Sequence, residues 1–273
     1  MDFSVIVPAL NEETHIEACL KSISRQKLPR NRYEIIVSDG GSDDRTIEIA
    51  RKYADKVIVS KKKGIWWGRN QGAKFAKGKY LVFIDADTRV KENYLETVHE
   101  YLELGVVGLT TGFEIEGLGL KMKMLEHIIN SYLYLNSKIS NASLVGINLC
   151  VPRAVFMKVG GFKNYALEDA AFSRELRKEG QTCFLIQKMA VTSARRLEAY
   201  GMFGLCRYYF ELGLIDGGNI SNPYISKYMK YREYNPIRID RQRAGDKSGN
   251  SKELSKLIRG VEKKVLKWSQ RLT

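Results

Sequence analysis

The sequence contains no long apolar run. No window of its 273 residues approaches the roughly 20 consecutive apolar residues that a membrane-spanning helix needs. The opening segment, Met1–Pro8, also lacks the basic stretch and the apolar segment of a secretory signal peptide, and its composition indicates a β-strand. We therefore expect a cytoplasmic protein whose contact with a membrane, if it has one, is peripheral.

Cysteine and histidine are also scarce. The four cysteines are Cys19, Cys150, Cys183 and Cys206, and the three histidines are His15, His99 and His127. They form no Cys-x-x-Cys pair and no Cys/His cluster, which argues against a zinc site and against a disulfide framework. A reducing compartment fits this pattern best.

Acidic residues are outnumbered, with 45 Lys and Arg against 31 Asp and Glu, a formal net charge of +14 and a pI near 9.5. Such a chain favours anionic partners, including nucleotides, phospholipids and nucleic acid. A non-enzymatic nucleic-acid-binding protein is one alternative. However, the basic residues accompany neither a helix-turn-helix pattern nor an RNA-recognition signature, so we expect no nucleic-acid partner.

Short apolar segments alternate with amphipathic ones in the first half. The strand candidates are Phe3–Val7, Glu34–Ser38, Val57–Ser60 and Tyr80–Ile84, and the helix candidates are Glu13–Gln26, Asp44–Tyr53 and Trp67–Lys77. This alternation predicts an α/β fold with a Rossmann-like, mainly parallel sheet and helices on both faces. Ligands of such sheets bind at the carboxyl ends of the strands, where this chain carries three polar turns.

The second half follows a different pattern. A β-like run begins near Val106, and helix candidates cover Leu118–Ser140 and the segment from about Glu168, with a further apolar run at Leu144–Val151. We expect these elements to complete the sheet and to form the side of the protein that binds a second substrate, the acceptor.

One domain with a C-terminal extension is predicted on this basis. Residues 1–220 form the catalytic domain, and residues 221–273 form a basic linker followed by an amphipathic C-terminal helix.

Two carboxylates end the strand candidate Tyr80–Ile84. Asp85 and Asp87 stand one residue apart, and hard cations such as Mg²⁺ or Mn²⁺ prefer carboxylate oxygens. A cation held there can bridge to a diphosphate and offset the charge of the leaving group. The alternative is that Asp87 caps a helix over Val90–Leu104.

The order of four motifs is similar to that of family-2 glycosyltransferases. The motifs are Val5–Glu13, Ile36–Thr46, Gly68–Gly72 and Asp85-Ala86-Asp87, and the resemblance covers about Phe3 to Gly180. It implies a GT-A fold, an inverting transfer from a nucleotide sugar and a divalent cation. It also implies a nucleotide-binding set, which is Pro8, Ala9, Asn11, Glu12, Asp39, Arg69 and Asp85.

The chemistry of these side chains agrees with the implied roles. Asp39 can accept the ring N–H of a base, Glu12 can bind ribose hydroxyls, and Arg69 can neutralise diphosphate or contact the base. A different interpretation of Asp39–Ser42 is a simple turn before a helix that Ser42 or Asp43 caps. The sequence does not distinguish UDP from GDP as the carrier, and it does not identify the sugar.

The resemblance also implies the catalytic residues. A Glu-Asp pair supplies the family's general base, and Asp169, preceded by Glu168, matches it. One base is enough for an inverting displacement, because it takes the proton of the acceptor while diphosphate leaves from the opposite face. Alternatively, the two acids only favour the positive end of a helix. The predicted sugar or acceptor side comprises Gly146, Asn148, Arg195 and Arg196, whose arginines are suited to phosphate.

A sugar-phosphate nucleotidyltransferase is a further alternative, since it combines a similar half-fold with acidic metal ligands. The turn Pro8–Glu13 is acidic and has no glycine, which disfavours binding of a triphosphate there.

Residues Leu254–Leu272 have apolar side chains at spacings of three and four, with Lys and Arg over much of the rest. This pattern predicts a helix at an anionic membrane surface and an acceptor that is lipid-linked. The alternative is that the helix packs on the catalytic domain or on a second subunit.

Overall fold

Eight strands form one sheet in the computed structural model, which describes residues 1–62, 64–140, 144–165, 168–195 and 198. The strands are β1 Phe3–Ala9, β2 Tyr33–Asp39, β3 Lys56–Val59, β4 Tyr80–Ile84, β5 Thr88–Val90, β6 Gly108–Ile115, β7 Asn148–Pro152 and β8 Thr182–Thr192. They lie in the order β3-β2-β1-β4-β7-β6-β8-β5. The described residues fall within one unit, Met1–Pro236. Arg196, the predicted boundary at residue 220 and the C-terminal pattern lie outside the described residues.

One half of the sheet is parallel. β1 pairs in parallel with β2 and with β4, and β2 pairs in parallel with β3. These strands are rich in Val and Ile, and β1, β2 and β4 are almost wholly buried, as expected of a parallel sheet covered on both faces. Because Ala9 stands beside Asp39 in the register, the turns after β1 and β2 meet at one edge.

The other half contains antiparallel pairings. β7 runs antiparallel to β4 and to β6, and β8 is parallel to β6 but antiparallel to β5. The register of β6 against β8 shifts around Gly112. The predicted α/β class and its Rossmann-like parallel half are confirmed, and the complete sheet is mixed.

Seven α-helices cover the sheet in the described part of the chain. They are α1 Ile16–Ser24, α2 Thr46–Ala50, α3 Ile65–Phe75, α4 Tyr94–Glu103, α5 Leu120–Ser140, α6 Arg153–Lys158 and α7 Glu168–Glu179. Alternate residues of β1 face opposite sides, so Val5 joins the core beneath α1 and α4, whereas Ile6 joins the core beneath α3, α6 and α7. Helices therefore lie on both faces, as predicted. None of the described helices has the length and apolarity that crossing a bilayer requires.

Glycine lets α3 pack closely against the sheet. A Cβ at Gly72 would lie 2.3 Å from Cγ2 of Ile6, and one at Gly68 would lie 3.1 Å from Cβ of Pro8. The short distance between α3 and β1 determines where the Arg69 side chain of α3 starts.

The predicted helix Val90–Leu104 begins later than expected. Thr88–Val90 forms β5, which pairs with the end of β8, and α4 starts only at Tyr94 after Asn93. The suggestion that Asp87 caps a helix is therefore wrong, because a turn and a strand follow it. Pairing with a strand about one hundred positions away is not visible in the local pattern.

Candidate active site

Two arginines form ion pairs with four carboxylates at the carboxyl edge of the parallel strands. Arg69 contacts Asp85 and Glu168, and Arg195 contacts Glu12 and Asp87. The partners follow β1 and β4 or begin α7, while Arg195 follows β8. The structure thus brings together most of the charged residues predicted for the site.

Arg69 lies beneath this edge rather than on it. Its side chain is 1% exposed, and Nη2 donates to Oδ1 of Asp85 at 2.9 Å and to the Gly146 carbonyl at 2.8 Å, while Nη1 donates to Oε1 of Glu168 at 2.8 Å. The guanidinium also lies 5.0 Å from the ring centre of Phe162. Among the described residues Nε has no hydrogen-bond partner.

Burial by itself would lower the pKa of Arg69, but the nearby carboxylates of Asp85, Glu168 and Asp169 outweigh it and raise the pKa. The side chain is therefore a fixed cation. Three of its five N–H donors are bonded within the protein, so we interpret Arg69 as a positioning residue for Asp85 and Glu168. Its predicted contact with the nucleotide stays a prediction.

Glu168 and Asp169 open α7 and point to different partners. Oε1 of Glu168 accepts from Arg69, whereas Oδ2 of Asp169 accepts the Gly146 N–H at 3.0 Å and Oδ1 accepts the N–H of Ala170 at 2.8 Å. Burial raises the pKa of Glu168 to about 7 although Arg69 opposes the shift, and Asp169 adds to the rise. Gly146 thus links the two side chains, because its carbonyl oxygen accepts from Arg69 and its N–H donates to Asp169.

Arg195 holds the carboxylates of two turns. Its nitrogens donate to both oxygens of Glu12 at 2.9 to 3.1 Å, and Nη2 donates to Oδ2 of Asp87 at 2.8 Å. Glu12 and Arg195 are 7% and 15% exposed. One cation against two carboxylates leaves this group with a formal charge of −1, which favours an additional cation.

The turns after β1 and β2 are fastened to each other. Asn11 has a left-handed backbone with φ of 56°, its N–H donates to Oγ of Ser42 at 2.8 Å, and its Oδ1 accepts the Asp43 N–H at 2.9 Å. A short polar side chain tolerates this conformation better than most residues do. In the same layer, the N–H of Gly40 donates to the Ala9 carbonyl at 2.9 Å.

Asp39 is the buried centre of the second turn. It is 1% exposed, Oδ1 accepts the N–H groups of Gly41 and Ser42 at 2.8 and 2.7 Å, and Oδ2 accepts Oγ–H of Ser42 at 2.6 Å. Pro8, also predicted as a nucleotide contact, lies against Gly68 of α3. All of these bonds of Asp39 lie within the turn, as its interpretation as a turn-forming residue predicts. Recognition of a base by Asp39 stays a prediction.

Asp85 and Asp87 fit a cation that brings further oxygen ligands with it. No group of three or more His, Cys, Asp and Glu side chains in the described ranges forms a metal cage. Mg²⁺ in phosphate-handling sites commonly takes one or two carboxylates, with phosphate and water completing the shell. The donor set at this strand end therefore suits Mg²⁺ or Mn²⁺ bound together with a diphosphate.

A thiol lies directly under this strand end. Sγ of Cys19 donates to the Asp85 carbonyl at 3.6 Å. Burial raises the pKa of Cys19, and the carboxylates of Asp87, Asp85 and Glu12 raise it further, so the thiol stays neutral.

Asn148 has a structural environment. Its side chain is fully buried, Oδ1 accepts from the Thr110 hydroxyl and the Thr111 N–H at 2.7 and 2.8 Å, and Nδ2 donates to the Thr111 carbonyl at 3.1 Å. We therefore leave Asn148 out of the proposed sugar contacts. It fastens β7 to β6 just after the loop that contains Gly146.

Sequence reasoning missed one positioning residue, Asn70. Its Nδ2 donates to the Phe162 carbonyl at 2.7 Å, and its Oδ1 accepts the Phe162 N–H at 3.0 Å. This pair places the Phe162 ring under Arg69. Asn70 stands within the Gly68–Gly72 motif, so its position beside Arg69 was the available signal.

The profile of the family described as Glycosyl transferase family 2 matches residues 4–164. The glycosyltransferase AglE of Haloferax volcanii is 30% identical over 174 residues, which are 60% of this chain and 57% of AglE. The poly(ribitol-phosphate) beta-N-acetylglucosaminyltransferase TarS of Staphylococcus aureus is 29% identical over 147 residues, which are 51% of this chain and 26% of TarS. The chain thus spans little more than half of one relative and about a quarter of the other.

Solved structures share the fold. The mannosyltransferase PcManGT from Pyrobaculum calidifontis, in complex with GDP-Man and Mn²⁺, superposes with a TM-score of 0.61 at 20% identity over 76% of this chain and 59% of that chain. Residues 1–349 of S. aureus TarS with UDP-GlcNAc give 0.59 at 23% identity over 71% and 58%. The fold is accordingly of the GT-A type. Because the family profile covers more than half of its residues, this chain belongs to glycosyl transferase family 2.

Proposed function

We propose that the protein is an inverting glycosyltransferase that moves a sugar from a nucleotide-diphosphate donor to an acceptor hydroxyl or phosphate. The observation that carries this proposal is the bridge formed by Arg69, which joins Asp85 on the donor side to Glu168 beside Asp169. An enzyme of this kind needs a donor site and, close to the reacting carbon of the donor, a base that can take the proton of the acceptor. The bridge gives both groups a common rigid support.

The donor nucleotide is proposed to lie over the turns after β1 and β2. Pro8, Ala9, Asn11, Glu12 and Asp39 form this surface. Glu12 and Asp39 supply acceptors for ribose hydroxyls and a base N–H, although Asp39 would have to exchange part of its present bonding with Ser42. The Asn11–Ser42 and Asp43–Asn11 bonds hold the surface in shape before the donor binds.

The charges at this edge give a physical reason for metal dependence. Glu12 and Asp87 with Arg195 carry a formal −1. Asp85 and Glu168 with Arg69 carry another −1 above the pKa of Glu168, which burial raises to about 7. Two negative groups would repel an incoming diphosphate. Mg²⁺ or Mn²⁺, held by Asp87 with Asp85, would supply the positive charge that stabilises the departing diphosphate.

Asp169 is proposed to act as the general base. As the acceptor oxygen forms its bond to the anomeric carbon, the bond from that carbon to the diphosphate oxygen breaks, and the acceptor proton moves to Asp169. The Gly146 and Ala170 N–H groups orient the Asp169 carboxylate. Attack opposite to the leaving group inverts the anomeric centre. Glu168 holds the start of α7 through Arg69.

Arg195 and Arg196 are proposed to contact phosphate. Arg195 already lies between Glu12 and Asp87, and a guanidinium in that position can exchange a carboxylate contact for a phosphate contact. Gly146 is proposed on the sugar side because its neighbours in space are Arg69 and Asp169.

We further propose that the enzyme is cytoplasmic, works at an anionic membrane surface and uses a lipid-linked acceptor. The support is the basic amphipathic pattern of Leu254–Leu272 and the excess of 14 positive charges. A transferase that serves a lipid-linked head group must reach the plane of the interface.

A thermal-shift panel tests the donor assignment directly. UDP-GlcNAc, UDP-Glc, GDP-Man and the free nucleotides would be compared with and without Mn²⁺, since a ligand that binds only the folded protein raises its melting midpoint. We expect one nucleotide class to stabilise the protein, more strongly with Mn²⁺. Turnover should release free nucleoside diphosphate. Release of pyrophosphate would instead identify a nucleotidyltransferase and contradict the proposal.

A further inference from the structure

The outer face of α5 is apolar. Four large side chains there are 59 to 65% exposed, and they are Met124, Ile128, Tyr132 and Leu135. Their spacings of four, four and three residues place them on one side of the helix, because an α-helix has 3.6 residues per turn. We refer to these four residues as the α5 stripe.

The face of α5 that contacts the sheet contains two buried polar side chains in addition to Leu133, which packs against the core. Glu126 accepts the Ile115 N–H at 2.7 Å and forms an ion pair with Lys188, and Asn130 exchanges two hydrogen bonds with the backbone of Phe113 at 2.9 and 3.0 Å. Glu126 and Asn130 are almost completely buried. Polar side chains thus occupy part of the inner face, while four large apolar side chains stay exposed on the outer face. This distribution indicates an apolar partner for the stripe.

The charge of α5 indicates which partner that is. The helix contains three lysines and a single carboxylate, that of Glu126, which is buried against Lys188. Lys123, adjacent to the stripe, is exposed. An apolar stripe with an exposed tyrosine, lysine beside it and no exposed acid suits an anionic lipid interface. A symmetric second copy would bring together two helices that each carry an excess of positive charge, which disfavours that association.

We propose that the α5 stripe inserts into the interfacial region of an anionic lipid bilayer. This contact rests on the anionic membrane surface of the proposed function and assigns a second element to it. It does not depend on the transfer reaction, and it is separate from the C-terminal pattern. β6 runs in the same direction as β4, since both are antiparallel to β7, and α5 follows β6. Lipid contact at the stripe would therefore hold the edge that carries Asp85 near the membrane.

The test is co-sedimentation of the full chain with vesicles of phosphatidylglycerol and phosphatidylcholine, and with phosphatidylcholine alone. The variant carries Ile128→Asn and Leu135→Gln. The matched control carries Leu104→Gln and Met157→Gln, which remove two other exposed apolar side chains from α4's end and from α6. We expect the α5 variant to partition onto the anionic vesicles about tenfold less than wild type, and the control to match wild type.

Two further measurements separate the outcomes. Equal vesicle binding by wild type and the α5 variant, or no binding by either, would overturn the proposal. So would sedimentation velocity showing a dimer that the variant dissociates, or a melting midpoint that falls by several degrees in the variant alone, because the stripe would then face a second copy or its own chain. The response of the midpoint to UDP or GDP, read in the same samples, tests the proposed function independently of the lipid result.

Discussion

Arg195 and Glu12 lie 183 positions apart in the chain, yet the Arg195 guanidinium donates to both oxygens of the Glu12 carboxylate. The same guanidinium reaches Asp87. Arg195, three residues after β8, therefore lies against the first turn of the chain and supplies positive charge to Glu12 and Asp87. A divalent cation at Asp87 would likewise offset the negative charge of these carboxylates.

Replacing Arg195 tests this exchange of charges. Arg195→Gln should lower the free energy of unfolding by about 2 kcal/mol, because Glu12 and Asp87 lose their shared counter-ion in a partly buried setting. Mn²⁺ should restore part of this stability, so it should raise the melting midpoint more in the variant than in wild type. Arg89→Gln, which breaks an exposed pair with Glu116, is the control and should change stability by less than about 1 kcal/mol. Equal Mn²⁺ responses would count against a cation at Asp87.

Asp87→Ala should abolish the Mn²⁺-dependent part of donor binding and most turnover. Asp87 is partly exposed at the strand end, and Arg195 keeps its contact with Glu12, so the variant should fold with little change in its midpoint. The measurement is the thermal shift with nucleotide in the presence and absence of Mn²⁺, with Glu116→Ala as a matched removal of an exposed acid. Normal turnover by folded Asp87→Ala protein would exclude this residue as the metal ligand.

Asp169→Asn should leave donor affinity unchanged and reduce turnover by about 100-fold or more, the usual contribution of a positioned base. The amide oxygen of Asn can still accept the Gly146 N–H, so the loop should keep its place. Donor titration and steady-state kinetics on the same preparation separate the two effects. A collapse of donor affinity would show that Asp169 serves binding, and the base would have to be another residue.

Glu168 should make folding stability depend on pH. Its pKa is raised to about 7 in the fold, mainly by burial, whereas an unfolded Glu titrates near 4.5. The folded protein therefore retains the proton to higher pH, and stability falls as pH rises between these two values. Relative to Glu168→Gln, which cannot titrate, wild type should lose about 2 kcal/mol between pH 5 and pH 8. Denaturant unfolding at several pH values measures this difference, and a gain for wild type would reverse the assigned shift.

The parallel half of the sheet could be predicted because its evidence is local. Buried runs of Val and Ile mark β1, β2 and β4, and each ends in polar residues that the register then brings to one edge. The approximate position of Asp85 and Asp87 follows from the same pattern. β5 could not be predicted, since three residues become a strand only through pairing with β8.

The partners of Arg69 could not be predicted either. Its residue type indicates binding of an anion, but nothing local shows that the anions are protein carboxylates, one of them 99 positions away. Asn148 illustrates the same limit, because a polar residue before an apolar run can face either a ligand or a neighbouring strand. Only the positions of Thr110 and Thr111 decide that question.

The buried thiol of Cys19 has a use beyond packing. Alkylating reagents react with an exposed thiolate. Cys19 is fully buried, and its pKa is raised by burial and by the carboxylates of Asp87, Asp85 and Glu12. It can therefore react only when α1 separates from the end of β4. The rate of its alkylation would therefore report how often this edge of the sheet opens transiently. A bound donor should lower that rate, because it stabilises the closed form.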